Sequence, residues 1–162
     1  MFKNNREKAL LSVTVAALIF MVVAAIGGGW PKAGTTSDNS QVLQQAVFNY
    51  YERMPDHLYK IPEAELKGLI DSNNQDIYIL DIRDAKDYAQ GHIKGAKNIP
   101  FKEVGENLNQ LPQDKTIIVY CYTGQTGGQT TAALNIAGFK ARSLNGGMNN
   151  GWLKSGYPVV KD

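Results

Sequence analysis

The chain has 162 residues, of which 43% are apolar and 20% charged, the composition of one globular domain with appendages rather than of a disordered or fibrous chain. Its 17 Lys and Arg against 15 Asp and Glu give a net charge of +2 without a clustered basic patch, which excludes a nucleic-acid-binding surface. A single cysteine excludes an intramolecular disulfide and any multi-thiolate metal site, and His57 and His92 lack the spacing of a metal-ligand set.

In chain order, residues 1–30 read as a targeting element. Lys3, Arg6 and Lys8 precede Ala9–Ile26, a stretch of apolar and small residues with no charge. At ~1.5 Å rise per residue that stretch reaches roughly 27 Å, close to the hydrocarbon thickness of a bilayer. It is longer than the usual hydrophobic core of a secretory signal, so an uncleaved membrane anchor through residues 9–26 is expected. Cleavage near Ala25 and Gly27 followed by export is the alternative, and a buried core helix is the third reading. No cysteine follows the apolar run, which rules out a lipid-anchored lipoprotein. The basic start predicts an N-terminus left in the cytoplasm and an extracytoplasmic domain. The rest of the chain is balanced, with 14 basic against 14 acidic residues.

Residues 31–60 read as a linker and an amphipathic helix. Gly27–Ser40 is Gly-, Thr- and Ser-rich, as linkers are. Val42, Leu43, Ala46, Val47, Tyr50, Tyr51 and Met54 then share one helical face, and Pro55 ends the pattern. Packing against the main domain, or spacing it from a membrane, is the expected role, with a partner surface as the alternative.

Residues 61–160 alternate strand and helix. A helix is predicted over 61–70 with Pro62 in its first turn and Leu66, Leu69 and Ile70 inward. Strands are predicted at 77–81, 96–99, 116–121 and 141–144, with helices at 85–90, 128–137 and 148–154. Short, continuously apolar strands separated by helices imply an α/β fold, a parallel sheet covered by helices on both faces. Catalytic groups in such sheets sit beyond the C-terminal strand ends, where Asp81 and Cys121 both fall.

Cys121 is the most informative residue. The run Ile117–Tyr120 delivers it to the loop Tyr122, Thr123, Gly124, Gln125, Thr126, Gly127, after which a helix begins. Loop amides and the positive end of the helix dipole would surround the sulfur and favour the thiolate. The bland alternative is a structural buried cysteine. Gly124 and Gly127 are expected to permit positive φ and close backbone approach within the loop. Asp81 and Arg83 read as a partly buried ion pair that fixes a loop rather than as direct chemistry. His92, within Gly91-His92-Ile93, reads as orienting a turn, with proton transfer as the lesser alternative. Trp152 reads as packing for the closing helix.

Taken together, Asp81-Ile-Arg83, Gly91-His-Ile93 with Gly95-Ala96 and Asn98-Ile-Pro100, the Cys121 loop, and Gly146-Gly147 with Trp152 form an ordered set. This order closely resembles the rhodanese (sulfurtransferase) family over about the last hundred residues. The resemblance implies a rhodanese-like fold and a persulfide carried on Cys121. It also implies a small-molecule or protein sulfur donor and a thiol or cyanide acceptor. No metal or organic cofactor is implied, and a monomer is expected.

One departure bears on substrate. Many members of that family place Arg or Lys in the loop, whereas Tyr122–Gly128 is uncharged here, which counts against thiosulfate as the physiological donor. Cys-dependent phosphatases end a related loop in Arg six residues after the cysteine; Gly127 stands there, without the bidentate partner a phosphoryl group needs. A catalytically weak sulfur- or thiol-binding module and a redox-sensing module are the competing readings.

Overall fold

The computed structural model describes residues 35–161. The chain divides into two units, residues 1–41 and 42–162. The expected span at residues 9–26 lies outside the described residues, among which no helix is long and apolar enough to cross a membrane.

Helix α1 (Thr35–Glu52) therefore begins inside the stretch that reads as linker. Most of the apolar face expected to pack is open to solvent: Val42, Leu43, Val47 and Tyr51 are exposed. Tyr50 and Met54 are half-buried. The contact that ties this helix down is the Tyr50 ring stacked on Tyr59, with centroids 5.3 Å apart.

The domain is built on five parallel strands in the order β1-β5-β4-β2-β3. They are β1 (Lys60–Ile61), β2 (Ile77–Asp81), β3 (Lys97–Asn98), β4 (Thr116–Tyr120) and β5 (Lys140–Leu144). Helices α2 (Glu63–Asp71), α3 (Ala85–Gln90) and α4 (Gln125–Ile136) lie between strands, as does a 3-10 segment over Phe101–Gln110. A π-helical turn, Gly147–Trp152, follows the last strand.

Alternation along β4 explains why the sheet must be covered twice. Ile117, Val119 and Cys121 enter one core with Leu80, Val104, Leu134 and Phe139. Ile118 and Tyr120 enter the other with Leu66, Ile93, Met148 and Trp152. A side chain of this size contributes about 1.5–3 kcal/mol when fully buried, so neither face can be left wet. The register matters for the site: Leu80 pairs with Val119 and Asp81 with Tyr120, so β2 and β4 end level.

Several expected boundaries move. Ile61 belongs to a two-residue strand paired with β5, not to the helix after it. Pro62, at φ −63° and ψ 149°, is extended and precedes the first helical turn rather than standing in it. Helix α4 starts at Gln125, three residues earlier than predicted, because left-handed Gly124 (φ 95°) already makes the turn. The closing helix predicted over 148–154 is the wider π-helical turn Gly147–Trp152.

Candidate active site

Cys121 stands immediately past β4 and is only 2% exposed. The chain then turns so tightly that the Gly124 N–H points back to the sulfur, with N···Sγ 3.1 Å. Burial pushes the thiol pKa up. The Thr126 hydroxyl and the amides of Gly127, Thr123 and Gly124 act against it and prevail, so the pKa lies below the ordinary thiol value. Gln125, Thr126 and Gly127 form the first turn of α4, whose amides have no intrahelical acceptors. The thiolate is thus held by neutral dipoles, with no cation in the loop.

A second loop locks this geometry. The amides of Met148 and Asn149 donate to the carbonyls of Cys121 and Tyr122, each at 2.8 Å. That draws the loop carbonyls into bonds of their own and leaves its amides for the sulfur. The approach requires glycine: Gly147 has φ 61°, and a Cβ there would lie 2.6 Å from the Cys121 carbonyl oxygen and 2.8 Å from the Gly124 nitrogen. Gly127 corrects the expectation of positive φ, since it is helical. Its need is room, because a Cβ would lie 3.0 Å from Ser143 Oγ and 3.6 Å from Cys121 Sγ.

Tyr122 is pinned as well. Its hydroxyl donates to Asp87 Oδ2 at 2.5 Å and accepts from the Asp84 amide at 3.2 Å. Desolvation and the Asp87 carboxylate both raise its pKa, so it remains a neutral phenol. The tie to α3 has no local sequence signal, because Asp87 lies 35 residues away.

Asp81 and Arg83 form the buried pair that the sequence suggests. Arg83 Nη2 lies 2.6 Å from Asp81 Oδ2, and Nε lies 3.0 Å from Oδ1. The Arg83 amide also reaches Oδ1 at 2.9 Å, while Nη2 donates to the Gly91 carbonyl at 2.9 Å. Burial would lower the guanidinium pKa, but Asp81 more than offsets it, and the pKa is raised. Asn98 donates to the carbonyls of both residues, so one network joins the ends of β2 and β3. Arg83 also stands over the rings of Tyr120 and Tyr122, at 5.4 Å and 6.0 Å from their centroids.

His92 is buried, with its ring stacked on Tyr88 at 3.9 Å and Nδ1 3.1 Å from the Tyr88 carbonyl oxygen. Its backbone pairs with Val160 and holds the C-terminal segment to the domain. Trp152 is buried and its indole donates to the Pro158 carbonyl at 2.9 Å. Among the described residues, no three His, Cys, Asp or Glu side chains gather where they could hold a metal ion.

The arrangement can hold a nucleophilic sulfur anion. The rhodanese-like domain family matches residues 63–154. A probable adenylyltransferase/sulfurtransferase of Mycobacterium tuberculosis is 38% identical over 101 residues, covering 60% of this chain and 25% of its own. The chain thus spans only a quarter of that longer relative. Thiosulfate sulfurtransferase PspE of Escherichia coli is 37% identical over 73 residues, covering 44% of this chain and 70% of its own. Among solved structures, a rhodanese-related protein from Thermoplasma volcanium aligns with a TM-score of 0.58 at 29% identity, covering 64% of this chain and 98% of that one. The family match spans more than half of the chain and takes in the buried Asp81–Arg83 pair, the Cys121 loop and the glycine turn that clamps it; the chain belongs to the rhodanese-like domain family.

Proposed function

We propose that the protein is a sulfurtransferase that carries sulfane sulfur as a persulfide on Cys121 and passes it to a thiophilic acceptor. The observation that carries this reading is the 3.1 Å approach of the Gly124 amide to a thiol held below its ordinary pKa. The Cys121 thiolate attacks the outer sulfur of the donor. The new S–S bond forms as the donor's bond to that sulfur breaks, and the pair leaves with the donor remnant, sulfite if the donor is thiosulfate. An acceptor such as cyanide or a thiol then takes the terminal sulfur and returns Cys121 to the thiolate, a two-step exchange in ping-pong order.

The persulfide anion inherits the stabilisation that the thiolate has, from the amides of Thr123, Gly124 and Gly127 and the Thr126 hydroxyl. With no cation in the loop, a dianion such as thiosulfate loses the charge-assisted contact an arginine would give, so less charged donors are favoured. The domain is extracytoplasmic and held at the membrane by residues 9–26.

Intact-mass measurement of the full chain, with thiosulfate, mercaptopyruvate or polysulfide supplied, tests the chemistry. One reductant-labile sulfur atom is expected on the wild type and none on Cys121→Ser. A wild type that gains no sulfur from any of the three overturns the enzyme reading and leaves a binding or redox-sensing module.

A further inference from the structure

A cavity of about 250 Å³ lies beside the Cys121 loop. Thr123 and Gly124 wall it on one side, and Tyr50, Leu58, Tyr59 and Lys60 on another. The second wall precedes residue 63, where the match to the family model begins. Three observations mark it as a built site. Thr131, 2% exposed, lines the cavity, and its buried hydroxyl has no hydrogen-bond partner. An orphaned buried hydroxyl is costly unless something else meets it. Leu58 and Tyr59 are consecutive non-glycine residues in the left-handed region, at φ 51° and 54°. Such strain persists only where the surroundings enforce it, and here it sets the Tyr59 ring on Tyr50, 19° from parallel. Finally, among the described residues that wall the cavity, Lys60 is the only charged one.

We propose that this cavity is a subsite for the organic body of the sulfur donor, and that the donor is a small organic persulfide bearing one carboxylate. This rests on the sulfurtransferase reading above and names its substrate class. Two tyrosine rings and Leu58 suit an apolar or aromatic body, Lys60 a carboxylate, and the Thr131 hydroxyl a polar atom along it. The volume falls short of the usual range for drug-sized ligands, which limits the body to a small molecule. Gly124 joins subsite and chemistry, because it walls the cavity and its amide touches Cys121 Sγ. In the transfer, Cys121 thiolate bonds to the terminal sulfur of R–S–SH as the donor's S–S bond breaks. The electron pair leaves on R–S⁻ and the proton stays on the transferred sulfur, so no external oxidant or reductant is consumed.

The full chain tests this with two donors, the persulfide of 4-(mercaptomethyl)benzoate and thiosulfate, and with the inert thioether 4-(methylthiomethyl)benzoate as a binding probe. Thr131→Val keeps the side-chain shape and removes only the orphaned hydroxyl. Tyr59→Gly removes the ring while relieving the left-handed strain. Each is expected to lower the ratio of kcat/KM for the organic over the inorganic donor about tenfold, through KM. Calorimetry on the Cys121→Ser background should show thioether affinity falling by a similar factor in both. An unchanged ratio together with unchanged thioether affinity overturns the subsite. Thioether binding that depends on Thr131 and Tyr59, with no sulfur ever appearing on Cys121, keeps the subsite and overturns the sulfurtransferase reading instead.

Discussion

Cys121 is governed by opposing influences of known sign. Burial raises its pKa, whereas the Thr126 hydroxyl leads the group of donors that lowers it. Thr126→Val removes that hydroxyl and leaves burial in place. Because one such hydrogen bond is worth about 1 kcal/mol, the alkylation midpoint should rise by about 0.5–1 unit. Iodoacetamide rates against pH measure it, and the wild-type midpoint should lie below that of a free thiol. An unshifted midpoint in Thr126→Val would assign the whole effect to the amides of Gly127, Thr123 and Gly124. The same shift links to folding. A depressed folded-state pKa adds stability that is present above the unfolded thiol's pKa and lost as pH falls through the folded one, and Thr126→Val should narrow that window. Arg83 and Asp81 differ from Cys121: they are a buried ion pair, and their hydrogen bonds with Gly91 and Asn98 tie the ends of β2 and β3.

At the scale of elements, the site is a strand end and a helix start pressed together by a glycine turn. Gly147→Ala forces a Cβ onto the Cys121 carbonyl and the Gly124 amide at a left-handed residue, so the loop must move. A loss of about 2–4 kcal/mol is expected in urea unfolding, with the alkylation midpoint drifting upward as the amides leave the sulfur. Gly68→Ala is the control: Gly68 lies inside α2 with nothing within 4 Å, and the change should stabilise by about 0.5–1 kcal/mol. Loss of stability in both variants would show that an added methyl destabilises without crowding, and the loop-crowding account of Gly147 would fail. The physics also explains which elements the sequence discloses. β2 and β4 are apolar runs long enough to carry a pattern, and α3 lies at the predicted 85–90, while β5 holds only Ala141 and Leu144 as apolar residues. β1 is two residues long and exists only because β5 offers it backbone partners, which no local periodicity records, whereas β3, equally short, lies inside the predicted 96–99. The Phe101–Gln110 turns went unassigned for the same reason: Val104 is the one buried residue in ten. At the site, Cys121 and its loop are legible because strand, glycine and helix signals are contiguous. The Tyr122–Asp87 tie and the cavity wall at Tyr50 and Tyr59 are not, since folding alone brings those segments to the loop.

For the whole molecule, charge and hydropathy divide the chain more sharply than any single motif does. Lys3, Arg6 and Lys8 precede an uncharged stretch, and the remainder is electrically balanced. Retaining that stretch in a bilayer requires no charge to be buried, while the basic start is favoured on the cytoplasmic side. The neutral domain adds no basic field that would draw it to anionic lipid headgroups or nucleic acid, so the proposed membrane residence would rest on residues 9–26 alone. The prediction follows directly. The full chain should sediment with membranes and resist alkaline extraction, and protease added outside intact cells with a permeable wall should digest the domain. Deleting residues 9–26 should release the protein from the membrane fraction. Protection from external protease would reverse the orientation. A mature chain starting near Gly28 in the medium would replace the anchor with cleaved export, and the sulfur transfer proposed for Cys121 would then belong to a freely diffusing protein.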